Sequence, residues 1–330
     1  MQSLPQVIIR RLLLMIPTLF VVSILAFGIM KLAPGDPVRL YLSGGMSTAS
    51  PDDIERIREQ LGLNDPIPVQ YARWVKEALT GNLGYSIVSH RPVTEVIFEK
   101  VPASASLVGI SLVVAVVLGL TLGTIAALKQ YSVFDYITTT LAFLGNSLPS
   151  FWIAMMAIWL FAVKLGWLPT GQMRSVSSGD PAWLDTVKHY ILPVSVMAFV
   201  SLITWVRYQR ASMLEVMHQD YIRVARAKGL AEKSVIFRHA WRNSLIPIVT
   251  LLGLSVANLV GGSYVIELVF SWPGLGQFGF DSILARDYPV IMGITMISAI
   301  FIILGNLLAD IAYILLDPRM TSSSARGGGA

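Results

Sequence analysis

Long apolar runs alternate along the chain with polar and basic segments. Leu12–Met30 holds nineteen residues without a charge, about enough at 1.5 Å per residue to cross a hydrocarbon core of roughly 30 Å. With this first span placed at about residues 10–31, the pattern predicts six transmembrane helices and an all-α membrane protein. The other five spans are placed at about residues 103–128, 135–164, 189–208, 244–267 and 288–312.

Some polar residues interrupt these apolar runs. Residues 136–163 are uncharged over twenty-eight positions, longer than a membrane requires, so we expect this span to tilt or break near Pro149. A water-filled path and hydrogen bonding between helices explain such polar residues about equally well. The candidate lining residues of such a path are Asn146, Ser147, Ser150 and Asn258.

Two carboxylates, Glu267 and Asp310, lie at the edges of late spans. A proton relay would need such groups deep in the bilayer. Because both lie within a turn of an interface, we interpret them as capped or snorkelling helix ends.

Residues 32–100 form the one sizeable polar region. They are too few for a large independent core, so we predict a small helical cap outside the membrane. Within it, Pro51 begins a helix that Gly62 stops, and Val69–Leu79 forms a second helix. The chain then divides into residues 1–100 (first span and cap), 101–316 (transmembrane domain, with a basic loop at 209–243) and 317–330 (disordered cytoplasmic tail).

The basic residues are concentrated in one loop. The net charge is +5, and Arg207–Arg242 alone holds eight Lys/Arg and three Asp/Glu, the same surplus of five. The positive-inside rule therefore places this loop in the cytoplasm, and six spans place both termini there. Hydrophobic residues make up 54% of the chain and charged residues 14%, so the charge indicates membrane topology and no nucleic-acid partner.

The basic loop contains a patterned helix where a plain turn would connect two spans. Asp220 is suited to cap its start, and Gly229 to end it in the left-handed conformation. A second helix then returns to the membrane through Val235. Such a helix suits a groove on a partner protein, or the anionic headgroups of membrane lipid. The predicted faces are Tyr221, Val224 and Ala225 on one side, and Arg223 and Arg226 on the other.

Motifs for common chemistries are absent from the sequence. There is no Gly-Lys dipeptide, and hence no phosphate-binding P-loop, and there is no HExxH or GxSxG pattern. There is no cysteine, and the four histidines lack ligand spacing. We therefore predict no catalytic residue, no cofactor and no metal. If energy is used, a partner supplies it.

Several motifs resemble one family of transporters. YIRVARAKGL at 221–230 and RHAWRNSLIP at 238–247 resemble the cytoplasmic loop of ABC importer permeases of the dipeptide/oligopeptide branch. The wider group carries Glu-Ala-Ala six residues before the glycine, where this chain has Arg223, Val224 and Ala225. Pro247 also comes late. The other matching segments are LAPGDPV at 32–38, LGLNDPIPVQYARWV at 61–75, GWLPTGQM at 166–173, FSWPGLGQ at 270–277 and LLDPRM at 315–320.

The resemblance implies a type I importer permease and its partners. These are a second homologous permease subunit, two ATPase subunits and an extracytoplasmic substrate-binding protein. The implied cargo is a di- or oligopeptide, with nickel complexes, glutathione or oligosaccharides as alternatives. A self-sufficient secondary transporter is disfavoured by the charge-free spans, and an intramembrane enzyme by the missing motifs. The implied ATPase-docking residues, on a coupling helix, are Asp220, Tyr221, Arg223, Val224, Ala225, Arg226, Ala227, Lys228 and Gly229.

Overall fold

The computed structural model describes residues 4–32, 51–60, 62–175, 179–256 and 264–316. These residues are mostly helical. Two π-helical stretches lie at Ile158–Lys164 and Val235–Trp241. The α-helices are α1 (Leu4–Leu32), α2 (Pro51–Gln60), α3 (Ile67–Leu79), α4 (Val93–Leu128), α5 (Val133–Ser147), α6 (Ser150–Ala157), α7 (Ala182–Met217), α8 (Asp220–Ala227), α9 (Glu232–Ser234), α10 (Arg242–Ser244), α11 (Ile246–Val256), α12 (Tyr264–Val269), α13 (Leu275–Leu284) and α14 (Tyr288–Leu316).

Four helices in the described part of the chain are long and apolar enough to cross a membrane. They lie at Ile8–Leu32, Val93–Leu128, Ala182–Met217 and Tyr288–Leu308, and a shorter apolar helix spans Ser150–Lys164. The all-helical membrane class is therefore confirmed. The count of six spans stays a prediction, because the third and fifth predicted spans are not single described helices.

The third predicted span breaks near the residues that the sequence marked. Helix α5 ends at Ser147, and α6 begins at Ser150 after an extended Pro149, whose ψ is 134°. A proline has no backbone N–H to donate and restricts the residue before it, so a new helix begins at this point. In the fifth span, α11 ends at Val256, and residues 257–263 lie outside the described chain.

Helices α4 and α7 form the most extensive helix pair among the described elements. The shared face of α4 carries buried small residues at every fourth position, Ser111, Ala115, Gly119, Gly123 and Ala127. A Cβ at Gly123 would lie only 2.7 Å from the carbonyl oxygen of Val206 in α7. Small residues at this spacing let helix backbones approach closely in lipid. The two helices therefore form the packed centre of the domain.

The described part of the predicted cap packs against the first span. Tyr71 of α3 lies 5.4 Å from the ring of Phe27 and hydrogen-bonds Ser23 at 2.7 Å. Helix α2 ends where predicted, because Gly62 follows it with a φ of +62°. Residues 33–50 of the predicted cap lie outside the described residues.

The ends of α4, α12 and α13 are joined by hydrogen bonds around Glu267. This carboxylate is fully buried, accepts a hydrogen bond from Ser104 Oγ at 2.8 Å, and accepts another from the amide of Gly276 at 2.7 Å. The indole of Trp272 donates to the carbonyl of Ala103 at 2.9 Å. Glu267 therefore accepts from an amide in the first turn of α13, and its full burial contradicts the interpretation of Glu267 as a snorkelling end of its own span. The side chain of Asp310 lies outside what the structure describes.

Candidate functional site

The segment that follows α7 begins with α8. Gln219 is its N-cap residue and makes no side-chain capping bond, so the prediction that Asp220 caps the helix is wrong. Asp220 instead occupies the first turn, where the positive end of the helix dipole stabilises its carboxylate. It is highly exposed and lies 3.5 Å from the guanidinium of Arg223.

The end of α8 is the glycine elbow that the sequence predicted. Gly229 has a φ of +74°. Its amide donates to the carbonyl of Arg226 at 2.9 Å, and the amide of Leu230 donates to the carbonyl of Ala225 at 3.4 Å. This pair of bonds is the Schellman motif, which satisfies the last helical carbonyls through a left-handed residue. The conformation predicted for Gly229 is confirmed, and its role in docking stays a prediction.

A forked ion pair spans the elbow. The guanidinium of Arg226 donates to the two carboxylate oxygens of Glu232 at 2.7 and 3.2 Å. This hydrogen bonding raises the pKa of Arg226 and lowers the pKa of Glu232 from their usual values. Both groups are partly exposed, so the pair contributes little to overall stability. It does fix the direction in which the chain leaves α8, because it joins residues on either side of Gly229.

The buried face of α8 differs from the predicted one. Ile222 and Ala225 are buried, whereas Tyr221 and Val224 are 43% and 50% exposed. Ala225 therefore does not share the face of Tyr221 and Val224, and the sequence analysis missed Ile222. Helical spacing alone could have paired Ile222 with Ala225, three residues on. The buried cluster that holds α8 consists of Ala127, Met213, Ile222, Ala225, Val235 and Ala240.

Helix α8 is thus held on one side and leaves apolar side chains on the other. Beyond the elbow, Leu230 is 43% exposed and Phe237 is 56% exposed. The side chain of Arg223 is 71% exposed, and Lys228 is exposed as well. The segment Asp220–Trp241, which we call the docking segment after its predicted role, therefore presents apolar and basic side chains from a backbone that the buried cluster holds.

Two polar contacts anchor α7 close to the docking segment. The guanidinium of Arg210 in α7 donates hydrogen bonds to both oxygens of the buried Asp135 in α5, at 2.6 and 2.7 Å. The buried amide nitrogen of Gln209 donates to Thr124 Oγ1 in α4 at 3.1 Å and to Ser244 Oγ in α10 at 2.9 Å. Charge-assisted and fully buried hydrogen bonds hold helices in fixed register. These bonds therefore connect the part of α7 near Met213 to α4, α5 and α10.

The two predicted path residues with described side chains, Ser147 and Ser150, do not line the hydroxyl-rich cavity described among the helices. That cavity lies between α4, α7 and α11 and has a volume of about 280 Å³. Ser147 and Ser150 flank the break between α5 and α6, and neither lines it. Asn146 is in the last turn of α5, and Asn258 lies outside the described residues. A path-lining role for these four residues stays a prediction.

Long apolar helices joined by an anchored basic segment define a membrane protein that crosses the bilayer several times. The chain belongs to the family described as the binding-protein-dependent transport system inner membrane component, whose model matches residues 119–322. The N-terminal membrane component of the same transport systems matches residues 4–108. The two family models together cover nearly the whole chain.

Relatives with printed transport functions align over nearly their full lengths. The oligopeptide transport system permease protein AppB of Bacillus subtilis is 43% identical, covering 95% of this chain and 98% of that protein. The dipeptide transport system permease protein DppB of Alkalihalophilus pseudofirmus is 40% identical, covering 94% and 98%. A putative peptide permease protein of Brucella suis is 38% identical over the same shares.

Proposed function

We propose that this chain is the permease subunit of an ATP-driven importer of di- or oligopeptides. It forms the translocation path with a second homologous permease subunit. Two ATPase subunits bind on the cytoplasmic side, and a substrate-binding protein docks on the outer side. The peptide cargo is carried over from the names of the relatives. The same machine importing nickel complexes, glutathione or oligosaccharides remains the alternative.

The observation that carries this proposal is the exposed pair Tyr221 and Val224 on an anchored helix. A helix that only rested on lipid could turn freely about its axis to bury its apolar side chains. Helix α8 cannot turn, because Ile222 and Ala225 are locked into the cluster with α7. Fixed apolar side chains flanked by basic ones suit a groove on a partner protein.

The same contacts supply a route for coupling. A push on α8 reaches α7 at Met213 and α4 at Ala127 through the buried cluster. The Arg210–Asp135 pair extends the route to α5. Because packed cores move as units, closure of the ATPases would shift whole helices of the permease. No P-loop is present in the sequence, so ATP hydrolysis belongs to the partner subunits.

The outer side offers the surface for the binding protein. Under the proposed topology, residues 32–100, 166–188 and 269–288 face outward, and the network around Glu267 holds the last of these segments. A self-sufficient secondary transporter would require charged groups deep in the spans. Helix α4 carries no charged residue between Val101 and Leu128. This supports an ATP-driven importer over a self-sufficient secondary transporter.

Changing Val224 to aspartate should weaken association with the ATPase more than about tenfold. An unpaired carboxylate in an apolar groove costs more than the roughly 1.4 kcal/mol that a tenfold loss represents. The measurement is co-purification of the ATPase subunits with tagged permease, together with ATP-dependent uptake of a labelled tripeptide in proteoliposomes. Val133→Asp is the matched control, because Val133 is 75% exposed on α5, outside the docking segment. Equal co-purification with both variants would contradict docking at α8.

Cysteine labelling should confirm the proposed orientation. The chain has no native cysteine, and Lys233 and Asn82 are both exposed. A membrane-impermeant thiol reagent added to intact cells should label Asn82→Cys and leave Lys233→Cys unlabelled until the membrane is opened. The positive-inside rule gives the reason, since Lys233 lies in the basic loop. Labelling of Lys233→Cys from outside would overturn the topology.

A further inference from the structure

The cavity between α4, α7 and α11 is polar without being charged. Four hydroxyl groups line it, from Ser111, Ser201, Thr204 and Ser255. Apolar side chains such as Trp205 form the rest of its wall, and no charged residue is among those that line it. Ser111 lies halfway along the 36-residue helix α4. The hydroxyls therefore lie within the predicted spans, away from the charged residues at the start of α4.

These hydroxyls retain hydrogen-bonding capacity toward the cavity. Ser111 Oγ donates to the carbonyl of Leu107 at 2.7 Å, and Ser255 Oγ donates to that of Leu251 at 2.9 Å. Both oxygens keep lone pairs that can accept from a ligand N–H. Within the described chain, no side-chain hydrogen bond engages Ser201 or Thr204, so these two hydroxyls can donate as well as accept.

The neighbouring polar residues on the same helices behave differently. Toward the docking segment, Gln209 bonds across helices to Thr124 and Ser244, and Ser212 bonds across to the carbonyl of Ser244 at 2.9 Å. Those residues join helices, which is the common use of polar groups in lipid. The cavity hydroxyls bond within their own helix or make no side-chain bond in the described residues. Helix joining therefore does not account for them.

We propose that this cavity is a contact site for the peptide main chain during translocation, an inference that rests on the proposed function. Hydroxyls can accept from the amide N–H and donate to the carbonyl of a peptide unit, which every peptide carries. A volume of about 280 Å³ admits a short segment of a peptide. The absence of charge in the lining means that the site does not select the charge of the cargo's side chains.

The hydroxyls of Ser201 and Thr204 should affect uptake only through their contacts with the main chain of the transported peptide. The test is ATP-driven uptake by the complete importer carrying Ser201→Ala with Thr204→Val. We expect uptake of tri-alanine to fall about fivefold or more, because two hydroxyls are lost and each hydrogen bond contributes roughly two- to tenfold. Tri-lysine and tri-glutamate should slow in the same proportion. Tri-alanine methylated on its amide nitrogens should slow much less, because it lacks the N–H groups.

A matched control removes a hydroxyl elsewhere. Thr121 of α4 is exposed, and its Oγ donates within the helix to the carbonyl of Val117 at 2.7 Å, so Thr121→Val should leave uptake of every peptide unchanged. Wild-type uptake of tri-alanine by the double variant would overturn the proposal. Equal slowing of methylated and unmethylated peptides would overturn it as well, because that result indicates a packing defect.

Thiol access gives a second readout that does not depend on transport rates. Thr204→Cys in this cysteine-free chain should react with a small water-soluble methanethiosulfonate in the assembled complex, and tri-alanine should slow the reaction. A thiol that never reacts would place Thr204 in a dry interface and overturn the proposal. A wild-type complex that imports another cargo but no peptide would overturn the proposed function, and this inference with it. If the complex imports peptides but the Thr204 variants do not behave as expected, only the role proposed for the cavity would be overturned.

Discussion

Replacing Gly229 by valine is expected to uncouple the importer while leaving the permease in the membrane. The backbone at Gly229 has a φ of +74°, which costs an ordinary residue about 1 kcal/mol and a β-branched residue more. Apart from the glycine and its two neighbours in the chain, no atom lies within 4 Å of the position where a Cβ would stand. The cost is therefore conformational, and the valine variant should abandon the Schellman turn and change the direction in which the chain leaves α8.

Substrate-stimulated ATP hydrolysis and peptide uptake should fall about tenfold or more in the Gly229→Val complex. The amount of permease in the membrane should match wild type, because the long apolar helices do not depend on the elbow. Gly229→Asn is the matched control, since asparagine tolerates the left-handed region and the surrounding space is open. If valine and asparagine gave the same full activity, the elbow would be a simple turn.

The two arginines of α8 should differ in the same assay. Arg226 is paired with Glu232 across the elbow, and Arg223 lies 3.5 Å from an almost fully exposed Asp220. Loss of Arg226 should therefore weaken coupling more than loss of Arg223, although less than Gly229→Val.

Replacing Glu267 by leucine is expected to destabilise the permease by a large amount for a single change. The carboxylate is fully buried and accepts hydrogen bonds from Ser104 Oγ and the amide of Gly276. Leucine would leave these buried donors unpaired, and each unpaired group costs about 1–3 kcal/mol. The measurement is the thermal unfolding midpoint of the purified permease in detergent. We expect the midpoint to fall by several degrees.

Two comparisons make the Glu267 result specific. Glu267→Gln keeps a carbonyl oxygen for the amide of Gly276 and should lose less stability than leucine. Asp281→Leu removes an exposed carboxylate from α13, the helix whose first turn bonds to Glu267, and should leave the midpoint near wild type. A Glu267→Leu protein as stable as wild type would show that the buried bonds around α13 are dispensable.

The chain's apolar runs determined its class, because lipid requires long uninterrupted helices. The helices found at Ile8–Leu32, Val93–Leu128, Ala182–Met217 and Tyr288–Leu308 coincide with predicted spans. The break near Pro149 and the helix end at Gly229 could also be predicted from the sequence. The missing N–H of proline and the missing Cβ of glycine act within one turn of the chain. Motifs in the basic loop also identified the family of the chain, and the comparisons confirmed that family.

Features that depend on distant partners required the tertiary structure. Ile222, and not Val224, faces the domain, because Met213 and Val235 happen to lie on that side of α8. Glu267 is buried because Ser104, 163 residues earlier in the chain, meets it.

The hydroxyl cavity shows the same division between sequence and structure. The sequence marked polar residues near the break after α5, whereas the cavity is lined from α4, α7 and α11. Local pattern fixes where each helix begins, ends and bends, since those choices depend on neighbouring residues in the chain. Which face of a helix is buried, and which hydroxyls converge, depends on how the helices pack, and only the assembled fold decides that.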